Sequence, residues 1–371
     1  MQRLDPADVI VGRCYQNLVG RGATALWVAL EAIALHDGKR GEVIIPDLVC
    51  PAVLEAVLAA GYSVRLADVD PHTYTLTPAT VRQHINRETH AIVVVHLFGH
   101  TAPIESISQL AAELGIRLIE DAAQGIGGYT QSGKAVGAHG DFSFVSFHES
   151  KQIRGKGGIL FYDDVLWKEP VRMALSQVFI TKESPSHHLL QTSLRDLYHG
   201  LGQAVRLGIL PEEKAARSFR EAIPMYRTLL LRAFDDTTDN CRMILQEWKN
   251  LETHIARRNE IACSLKDKLS DLPVTLSQVR DGDAIWRYTV RFPNRDTTDR
   301  FVLALRNQGG LVSNLYYPLN QLFHPNRELG TRKFAPCIAN LWVDETVDDT
   351  YVLQVRKAAE MALSSAVTEG K

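Results

Sequence analysis

The stretch EVIIPDLVCPAVLEAVLAAGYSVRLAD, residues 42–68, encodes a short apolar strand, an apolar helix and a second strand in succession. We predict the strands at Glu42–Pro46 and Ser63–Asp68 and the helix at Ala52–Ala60. Two strands joined through a helix lie parallel in one sheet, because the helix carries the chain back to the edge where the first strand began. This unit therefore indicates an α/β fold.

The same alternation continues on both sides of this unit, as far as Tyr162. Several of the strands are apolar at nearly every position, which is typical of strands covered on both faces. The sequence thus predicts a mostly parallel central sheet flanked by helices. The further strands are Ala91–His96, Arg117–Asp121, Phe142–Phe147 and Gly158–Tyr162, and the further helices are Thr24–His36, Pro78–Ile85 and Ile104–Leu114.

The pattern changes after the last of these strands. We predict a large domain over residues 1–248, in which residues 165–248 form a divergent helical region with polar linkers. Residues 249–371 are predicted to form a smaller C-terminal α/β domain. Its expected elements are helices at Leu251–Leu269, Thr297–Asn307 and Val347–Leu363 and strands at Trp286–Phe292 and near Leu311–Tyr317.

Composition excludes several classes of protein. The 371 residues carry 41 Lys and Arg against 43 Asp and Glu, so the broad basic surface of a nucleic-acid-binding protein is not expected. The five cysteines are scattered without zinc-site spacing, so we predict no metal. No apolar run reaches the ~18–20 residues of a membrane span, and the N-terminal sequence does not resemble a signal peptide. We expect a cytoplasmic protein without a membrane partner.

The segment GRGATAL, residues 20–26, is a candidate phosphate-binding site. A turn of small residues opens directly into an apolar helix, whose free N–H groups and positive dipole end attract an anion. The same letters also fit a simpler interpretation, in which Gly22 starts and Thr24 caps a core helix.

The segment LIEDAAQ, residues 118–124, is an apolar strand that ends in acidic residues. Ligands of open α/β sheets bind beyond the carboxyl ends of the strands, so Asp121 is expected at such a crevice. A carboxylate there can keep a heterocyclic nitrogen protonated. Alternatively, Asp121 is only the N-cap of the residues that follow it.

The segment FSFVSFHESKQIRGKGG, residues 142–158, runs from an apolar strand through Lys151 into a glycine-rich return. A lysine just past a buried strand end is a candidate Schiff-base amine, because partial desolvation and nearby positive charge lower its pKa. Arg154 and Lys156 could supply that charge. Otherwise Lys151 is an ordinary surface lysine. The three segments together supply a phosphate cradle, a carboxylate for a ring nitrogen and an amine, which are the groups that pyridoxal 5′-phosphate requires.

Sequence blocks around these segments follow the order found in a known family. By these blocks the chain resembles the DegT/DnrJ/EryC1/StrS family of pyridoxal-phosphate-dependent sugar aminotransferases, strongly over residues 10–165 and weakly over 250–365. The resemblance implies the pyridoxal-phosphate-dependent transferase fold type I and a homodimer with sites at the subunit interface. The blocks are RGATALWVAL (21–30), EVIIPDLVCPAVLEAVLAAGYSVRLADVD (42–70), HLFGH (96–100), IEDAAQG (119–125), residues 137–158 and Tyr317-Pro318.

The resemblance also implies roles for individual residues. Lys151 would form the Schiff base with the cofactor, Asp121 would hold the pyridine nitrogen, and Gln124 would lie beside the ring. Three residues would hold the phosphate, namely Ser146 and, through their backbone, Gly22 and Ala23.

The chain departs from the family pattern at several of these positions. Ala23 stands where the family has a phosphate-binding threonine, so one hydroxyl contact is missing unless Thr24 replaces it. Cys50 stands where an aromatic residue commonly covers the ring, and Lys156 replaces a glutamate. A family segment whose asparagine reaches the partner's phosphate has no clear counterpart, because Asn240 lies too close to the following helix.

The implied activity is transfer of an amino group from an amino acid, glutamate or glutamine, to a keto-sugar nucleotide or related polyol ketone. His148, Glu149 and Tyr316 are candidates for substrate contact, although each could equally serve packing. One alternative is an enzyme with the same cofactor that performs an elimination or uses a non-sugar ketone. Another is a protein that has kept the fold without catalysis.

Overall fold

The computed structural model describes residues 12–178 and 185–368. Its strands, in chain order, are β1 (Tyr15–Val19), β2 (Glu42–Pro46), β3 (Ser63–Ala67), β4 (Thr89–Val95), β5 (Arg117–Asp121), β6 (Phe142–Phe147), β7 (Gly157–Tyr162), β8 (Thr275–Leu276), β9 (Tyr288–Arg291), β10 (Val312–Ser313) and β11 (Ile338–Leu341). Its α-helices are α1 (Gly22–Asp37), α2 (Pro51–Ala59), α3 (Pro78–Arg82), α4 (Ile104–Glu113), α5 (Lys168–Leu175), α6 (Pro185–Arg206), α7 (Glu212–Leu230), α8 (Thr238–Lys249), α9 (Leu251–Leu269), α10 (Arg295–Asn307), α11 (Leu319–Phe323), α12 (Thr331–Phe334) and α13 (Asp349–Thr368).

The large sheet has the strand order β1-β7-β6-β5-β4-β2-β3 within the described chain. The strands from β3 to β6 run parallel, which confirms the predicted mostly parallel sheet. Strand β7 is antiparallel to β6, and β1 is antiparallel to β7. The alternation of strands and helices did not predict this reversal. The short return between Phe147 and Gly157 explains it, since a parallel partner needs a longer crossover.

Helix α1 packs against this sheet and is buried along most of its length. It is apolar on nearly all sides, which matches a helix enclosed between a sheet and other helices. Gly38 ends α1 in the left-handed conformation (φ 68°), where glycine carries no Cβ penalty. The start of α1 lies beside the end of β6 and the beginning of β7, because Gly22 is close to both Ser146 and Gly158.

A second, smaller sheet has the order β10-β11-β9-β8, and its neighbouring strands are antiparallel. Helices α9, α10 and α13 contribute to its core, with Tyr288, Phe301 and Val355 fully buried. The strand expected near Leu311–Tyr317 is only the two-residue β10. Residues Leu319–Phe323 of α11 instead pack into the core of the large sheet.

In the described part of residues 165–248, the helices α5 to α8 occupy most of the positions. Helices α6 and α7 pack against each other, and α7 also contacts α2 and α11. This pair therefore lies beside the carboxyl end of β2, where α2 begins. Among the described residues, no helix combines the length and apolar character that crossing a bilayer requires.

Candidate active site

A cavity of about 250 Å³ opens where β4, β5 and β6 end. Strand pairing explains the position, because Val95, Asp121 and Phe144 lie side by side in register. Strands β4 and β5 end at the first two of these residues, and β6 continues to Phe147. The cavity brings together most of the residues singled out from the sequence. Those that line it are Gly22, Ala23, Cys50, Asp121, Gln124, Ser146, His148 and Lys151.

The start of α1 forms one end of this cavity. The first backbone hydrogen bond of the helix runs from the Ala25 N–H to the Arg21 carbonyl oxygen at 3.1 Å, and no side chain caps this end. Gly22 packs so closely on β6 that an added Cβ would lie 2.7 Å from the Cβ of Ser146. The N–H groups of Gly22 and Ala23 thus stand uncapped beside the Ser146 side chain, which is an arrangement suited to a phosphate.

Thr24 does not line the cavity. Its hydroxyl donates a hydrogen bond to the Leu230 carbonyl oxygen, and the residue is fully buried. The helical turn explains this direction, since a residue two positions after Gly22 projects from the opposite side of α1. The Thr24 hydroxyl therefore does not stand in for the family threonine that Ala23 replaces.

Asp121 ends β5 with its carboxyl group toward the cavity. One carboxyl oxygen accepts a hydrogen bond from the Ala123 N–H at 2.9 Å, and the residue is 5% exposed. No ion pair joins it to another described side chain. Burial raises the pKa of Asp121, although the Ala123 N–H and the Lys151 charge oppose this. A protonated ring nitrogen is the cation that would restore the charged form.

The His96–His100 loop after β4 connects two parts of the site. Phe98 has a left-handed backbone (φ 58°), which is uncommon for a residue with a bulky side chain. Its N–H donates to the Gln124 side-chain oxygen at 2.8 Å, and its carbonyl oxygen accepts from the Trp286 N–H at 2.8 Å. The Phe98 peptide units thus fix both the Gln124 amide and the segment that carries Trp286.

Lys151 follows β6 in a tight turn. Its N–H donates to the His148 carbonyl oxygen at 2.9 Å, and its ammonium nitrogen lies 5.0 Å from the centre of the Trp286 ring. The Trp286 indole N–H donates to the Ser150 carbonyl oxygen, which holds the ring against this turn. Burial lowers the pKa of Lys151, and the charge of Arg287 lowers it further, while Cys50 and Asp121 raise it. The lysine is therefore poised to lose its proton more readily than a surface lysine.

Of the other residues predicted to contact the cofactor or the substrate, some line the cavity and others do not. Cys50 precedes α2 and lines the cavity, as does the exposed His148. Glu149 is exposed and does not line it. Tyr316 lines an adjoining cavity, and its hydroxyl accepts a hydrogen bond from the Gln124 side-chain nitrogen at 3.1 Å.

Asn240 is satisfied within its own chain. Its side-chain oxygen accepts from the Lys156 N–H at 2.8 Å, and its side-chain nitrogen donates to the carbonyl oxygens of Lys156 at 2.9 Å and Asp235 at 2.8 Å. Asn240 therefore holds the backbone of the glycine-rich segment between β6 and β7 in place.

Sequence reasoning missed Arg21 and Trp286. Arg21 lies within the predicted phosphate segment and lines the cavity, but one arginine beside a glycine is a weak signal for a role of its side chain. Trp286 lies 135 positions after Lys151, and no local pattern links the two residues.

The residues present fit pyridoxal 5′-phosphate. An uncapped helix start with an adjacent serine matches the phosphate, and a buried carboxylate without an ionic partner matches the ring nitrogen. A partly desolvated lysine in the same cavity matches the aldehyde. Fold and site together define a pyridoxal-phosphate-dependent transferase of fold type I.

Comparison with known proteins identifies the group within this class. Residues 11–210 match the model of the DegT/DnrJ/EryC1/StrS aminotransferase family, and the chain belongs to that family. It is 30% identical over 327 residues to the L-glutamine:scyllo-inosose aminotransferase of Streptomyces griseus, covering 85% of this chain and 69% of that protein. It is 38% identical over 153 residues to a UDP-N-acetyl-3-dehydro-alpha-D-glucosamine 3-aminotransferase of Acidithiobacillus ferrooxidans, covering 41% of each. The chain is a pyridoxal-phosphate-dependent aminotransferase.

Solved structures show the same fold. The aminotransferase PseC of Helicobacter pylori superposes with a TM-score of 0.72 at 16% identity, over 95% of this chain and 88% of that one. NtdA of Bacillus subtilis, solved with its cofactor pyridoxamine phosphate, gives a TM-score of 0.69 at 17% identity, over 95% and 74%. The predicted fold type I is thus confirmed.

Proposed function

We propose that this enzyme moves an amino group from glutamate or glutamine to the keto group of a sugar nucleotide or a related polyol ketone. The observation that carries the proposal is that Lys151 and Asp121 line one cavity. The names of the relatives support the two substrate classes. One acts on a cyclitol ketone with glutamine as donor, and another acts on a nucleotide-linked keto sugar.

The chain's own groups suffice for the proton movements. The cofactor, when bound, supplies an electron sink that stabilises a carbanion at the substrate carbon. The Lys151 amine, whose pKa burial lowers, would accept the proton from that carbon of the donor and return it within the same cavity. Asp121 keeps the ring nitrogen protonated, and Ser146 with the start of α1 holds the phosphate. Trp286 restrains the lysine and excludes water from it.

An elimination with the same cofactor is the alternative reaction, and one experiment separates the two. The holoenzyme is mixed with glutamate or glutamine, and its absorbance is followed. Transamination converts the cofactor to pyridoxamine 5′-phosphate and releases the keto acid in equal amount, whereas elimination leaves the pyridoxal form. The same donor-loaded enzyme is then screened against keto sugars and keto cyclitols for return of the pyridoxal absorbance.

Lys151→Ala tests the role of the lysine, with Lys156→Ala as matched control, because both side chains line the cavity. We expect K151A to lose the absorbance of lysine-bound cofactor and all amino transfer, while K156A keeps both. Transfer by folded K151A would refute the assignment. A wild-type protein that takes up no pyridoxal phosphate would instead favour a protein that kept the fold without catalysis.

We also propose a homodimer in the cytoplasm. Support for the dimer is the family membership, since the resemblance places such sites at a subunit interface. Light scattering coupled to gel filtration measures the assembly directly, and a monomer of 41.4 kDa would contradict it.

A further inference from the structure

Four arginines line a separate cavity of about 600 Å³, which lies beside the edge strand β3. Helix α7 and the segment that follows α11 form its other walls. The volume is within the range that small-molecule ligands occupy. No residue of this lining also lines the cofactor cavity or the cavity that adjoins it. The arginines of this arginine cavity are Arg65, Arg217, Arg220 and Arg327.

The arginine cavity reaches the amino ends of the strands. Glu42, in its wall, is the first residue of β2 and pairs with Ser63, the first residue of β3. The cofactor cavity opens instead at the carboxyl ends of strands, where the ligands of open α/β sheets usually bind. A ligand of the arginine cavity would therefore bind apart from the cofactor and its substrates.

Positive charge exceeds negative charge in this lining. The four arginines share two carboxylates, those of Glu42 and Glu213. Glu42 accepts a hydrogen bond from the Arg65 guanidinium, and Glu213 lies one turn before Arg217 on the same face of α7. The other two arginines are left without a carboxylate in this lining.

Neutral groups hold these other two arginines in place. The Arg220 Nη1 donates to the Phe323 carbonyl oxygen at 2.8 Å, and the Arg327 Nη2 donates to the His84 Nδ1 at 2.7 Å. Burial lowers the pKa of His84, and the Arg327 charge lowers it further, so this imidazole accepts the bond as a neutral group. The remaining N–H groups of both guanidiniums have no acceptor among the described residues, so they are available to a ligand.

The positive charges of this lining also repel one another. Burial lowers the pKa of Arg327, and the charge of Arg65 lowers it further, although Glu42 opposes this. Burial likewise lowers the pKa of His324, and the charges of Arg220 and Arg327 add to that effect. An anion among these groups would relieve the repulsion, because it attracts each of them.

We propose that the arginine cavity binds a phosphate-bearing small molecule outside the active site. Its oxygens would lie between Arg217 and Arg220 of α7 on one side and Arg65 and Arg327 on the other. The planar guanidinium matches a phosphate in charge and geometry. The ligand is either inorganic phosphate or a nucleotide, since both offer the same oxygens. This inference goes beyond the proposed function and does not depend on it.

Titration calorimetry at low ionic strength tests the proposal. Holoenzyme saturated with pyridoxal phosphate is used, so that the predicted phosphate cradle at the start of α1 is already occupied. The probes are inorganic phosphate, ADP and uncharged adenosine. We expect phosphate, ADP or both to bind at least ten-fold more tightly than adenosine, and the tighter of the two identifies the ligand. If neither binds more tightly than adenosine, the proposal is wrong.

Arg217→Gln is the decisive variant, because Arg217 is exposed and has no hydrogen-bond or ionic partner among the described residues, so the fold should persist. Arg195→Gln is the matched control, since Arg195 is an exposed arginine in the cavity that adjoins the cofactor site. We expect R217Q to weaken the preferred probe at least five-fold and R195Q to change it less than two-fold. Weakening by R195Q alone would place the ligand in the adjoining cavity and overturn the proposal.

Two further substitutions at the same position separate charge from geometry. Arg217→Lys keeps the charge but not the planar fork, so it should bind the probe with intermediate affinity. Arg217→Glu reverses the charge and should weaken the probe more than R217Q does. Circular dichroism of each variant checks that the fold is kept. Wild-type affinity in folded R217E would contradict the proposal.

Discussion

The ammonium nitrogen of Lys151 lies 5.0 Å from the centre of the Trp286 indole ring. The two residues come from different parts of the chain, one from the turn after β6 and the other from the segment before β9. An aromatic face stabilises a cation and at the same time excludes water from it. Trp286 therefore both restrains the lysine side chain and adjusts its proton affinity.

Replacement of this ring should slow the enzyme. We expect Trp286→Leu to lower the turnover rate roughly five-fold, because the lost cation–π contact contributes about 1 kcal/mol. The pKa of Lys151 should fall further, since the ring favours its charged form, and the acid limb of the pH–rate profile should move to lower pH. Trp286→Phe keeps a ring and should shift the profile less. An unchanged profile in W286L would contradict this role.

Asp121→Asn should leave the fold intact and impair the chemistry. The asparagine oxygen can still accept from the Ala123 N–H, but a neutral amide cannot hold a ring nitrogen in its protonated form. We expect turnover to fall by about 10²–10³, the size of effect found when a positioned electrostatic group is removed. Glu149→Gln is the control, because Glu149 is exposed near Lys151 and does not line the cavity. Turnover of D121N within three-fold of wild type would disprove the assignment.

Gly22→Ala tests the contact between α1 and β6. The new Cβ would lie 2.7 Å from the Cβ of Ser146, so the helix start must move away from the strand. We expect a loss of about 1–3 kcal/mol in the free energy of unfolding, measured in urea, together with weaker cofactor binding. The double variant Gly22→Ala, Ser146→Gly removes the clash and should recover part of the stability. No recovery would show that the contact is not the cause.

Glu120 should make the protein sensitive to acid. Burial alone would raise the pKa of Glu120, but hydrogen bonds from His96 at 2.9 Å and from the Gly137 N–H at 2.8 Å outweigh it, and the pKa lies below its ordinary value. A carboxyl group with a lowered pKa stabilises the fold above its unfolded pKa, about 4.3, and this contribution is lost as the pH falls through the folded value.

Glu120→Gln removes that contribution. We expect a loss of about 1–3 kcal/mol in the free energy of unfolding at pH 7 and a shallower decline of stability below pH 4.5. Urea unfolding at several pH values measures both effects. Glu88→Gln, at an exposed position, is the control and should behave as wild type. An E120Q variant with wild-type stability at pH 7 would contradict the role of the buried pair.

Most of the large sheet could be predicted from local sequence. The strands from β2 to β7 are apolar runs bounded by turns or helices, and their predicted limits differ from the structure by two residues at most. Strand β1, with the sequence YQNLV, was missed because it is short, partly polar and lies at the sheet edge. Its partner β7 lies more than a hundred residues further along the chain, so the pairing leaves no local pattern.

The residues of the candidate site likewise divide into those with a local sequence pattern and those without one. Asp121 and Lys151 lie at or just past strand ends, and these positions could be predicted from the local sequence. Thr24 was assigned to the cavity by its nearness to Gly22, but the phase of α1 turns it toward Leu230. Trp286 contacts Lys151, and Arg21 contacts Tyr226, and each partner is far away in the sequence. Such contacts depend on tertiary packing and have no periodic signal.

The bonds of Phe98 set an order of events during protein synthesis. Its carbonyl oxygen holds the Trp286 segment, and the Trp286 indole then closes over the lysine turn at Ser150, 136 positions earlier. When Lys151 has just emerged from the ribosome, Trp286 has not yet been synthesised. The reactive amine of the nascent chain is therefore still uncovered. The indole that covers this amine is therefore synthesised only after more than two thirds of the chain, and the lysine stays uncovered until then.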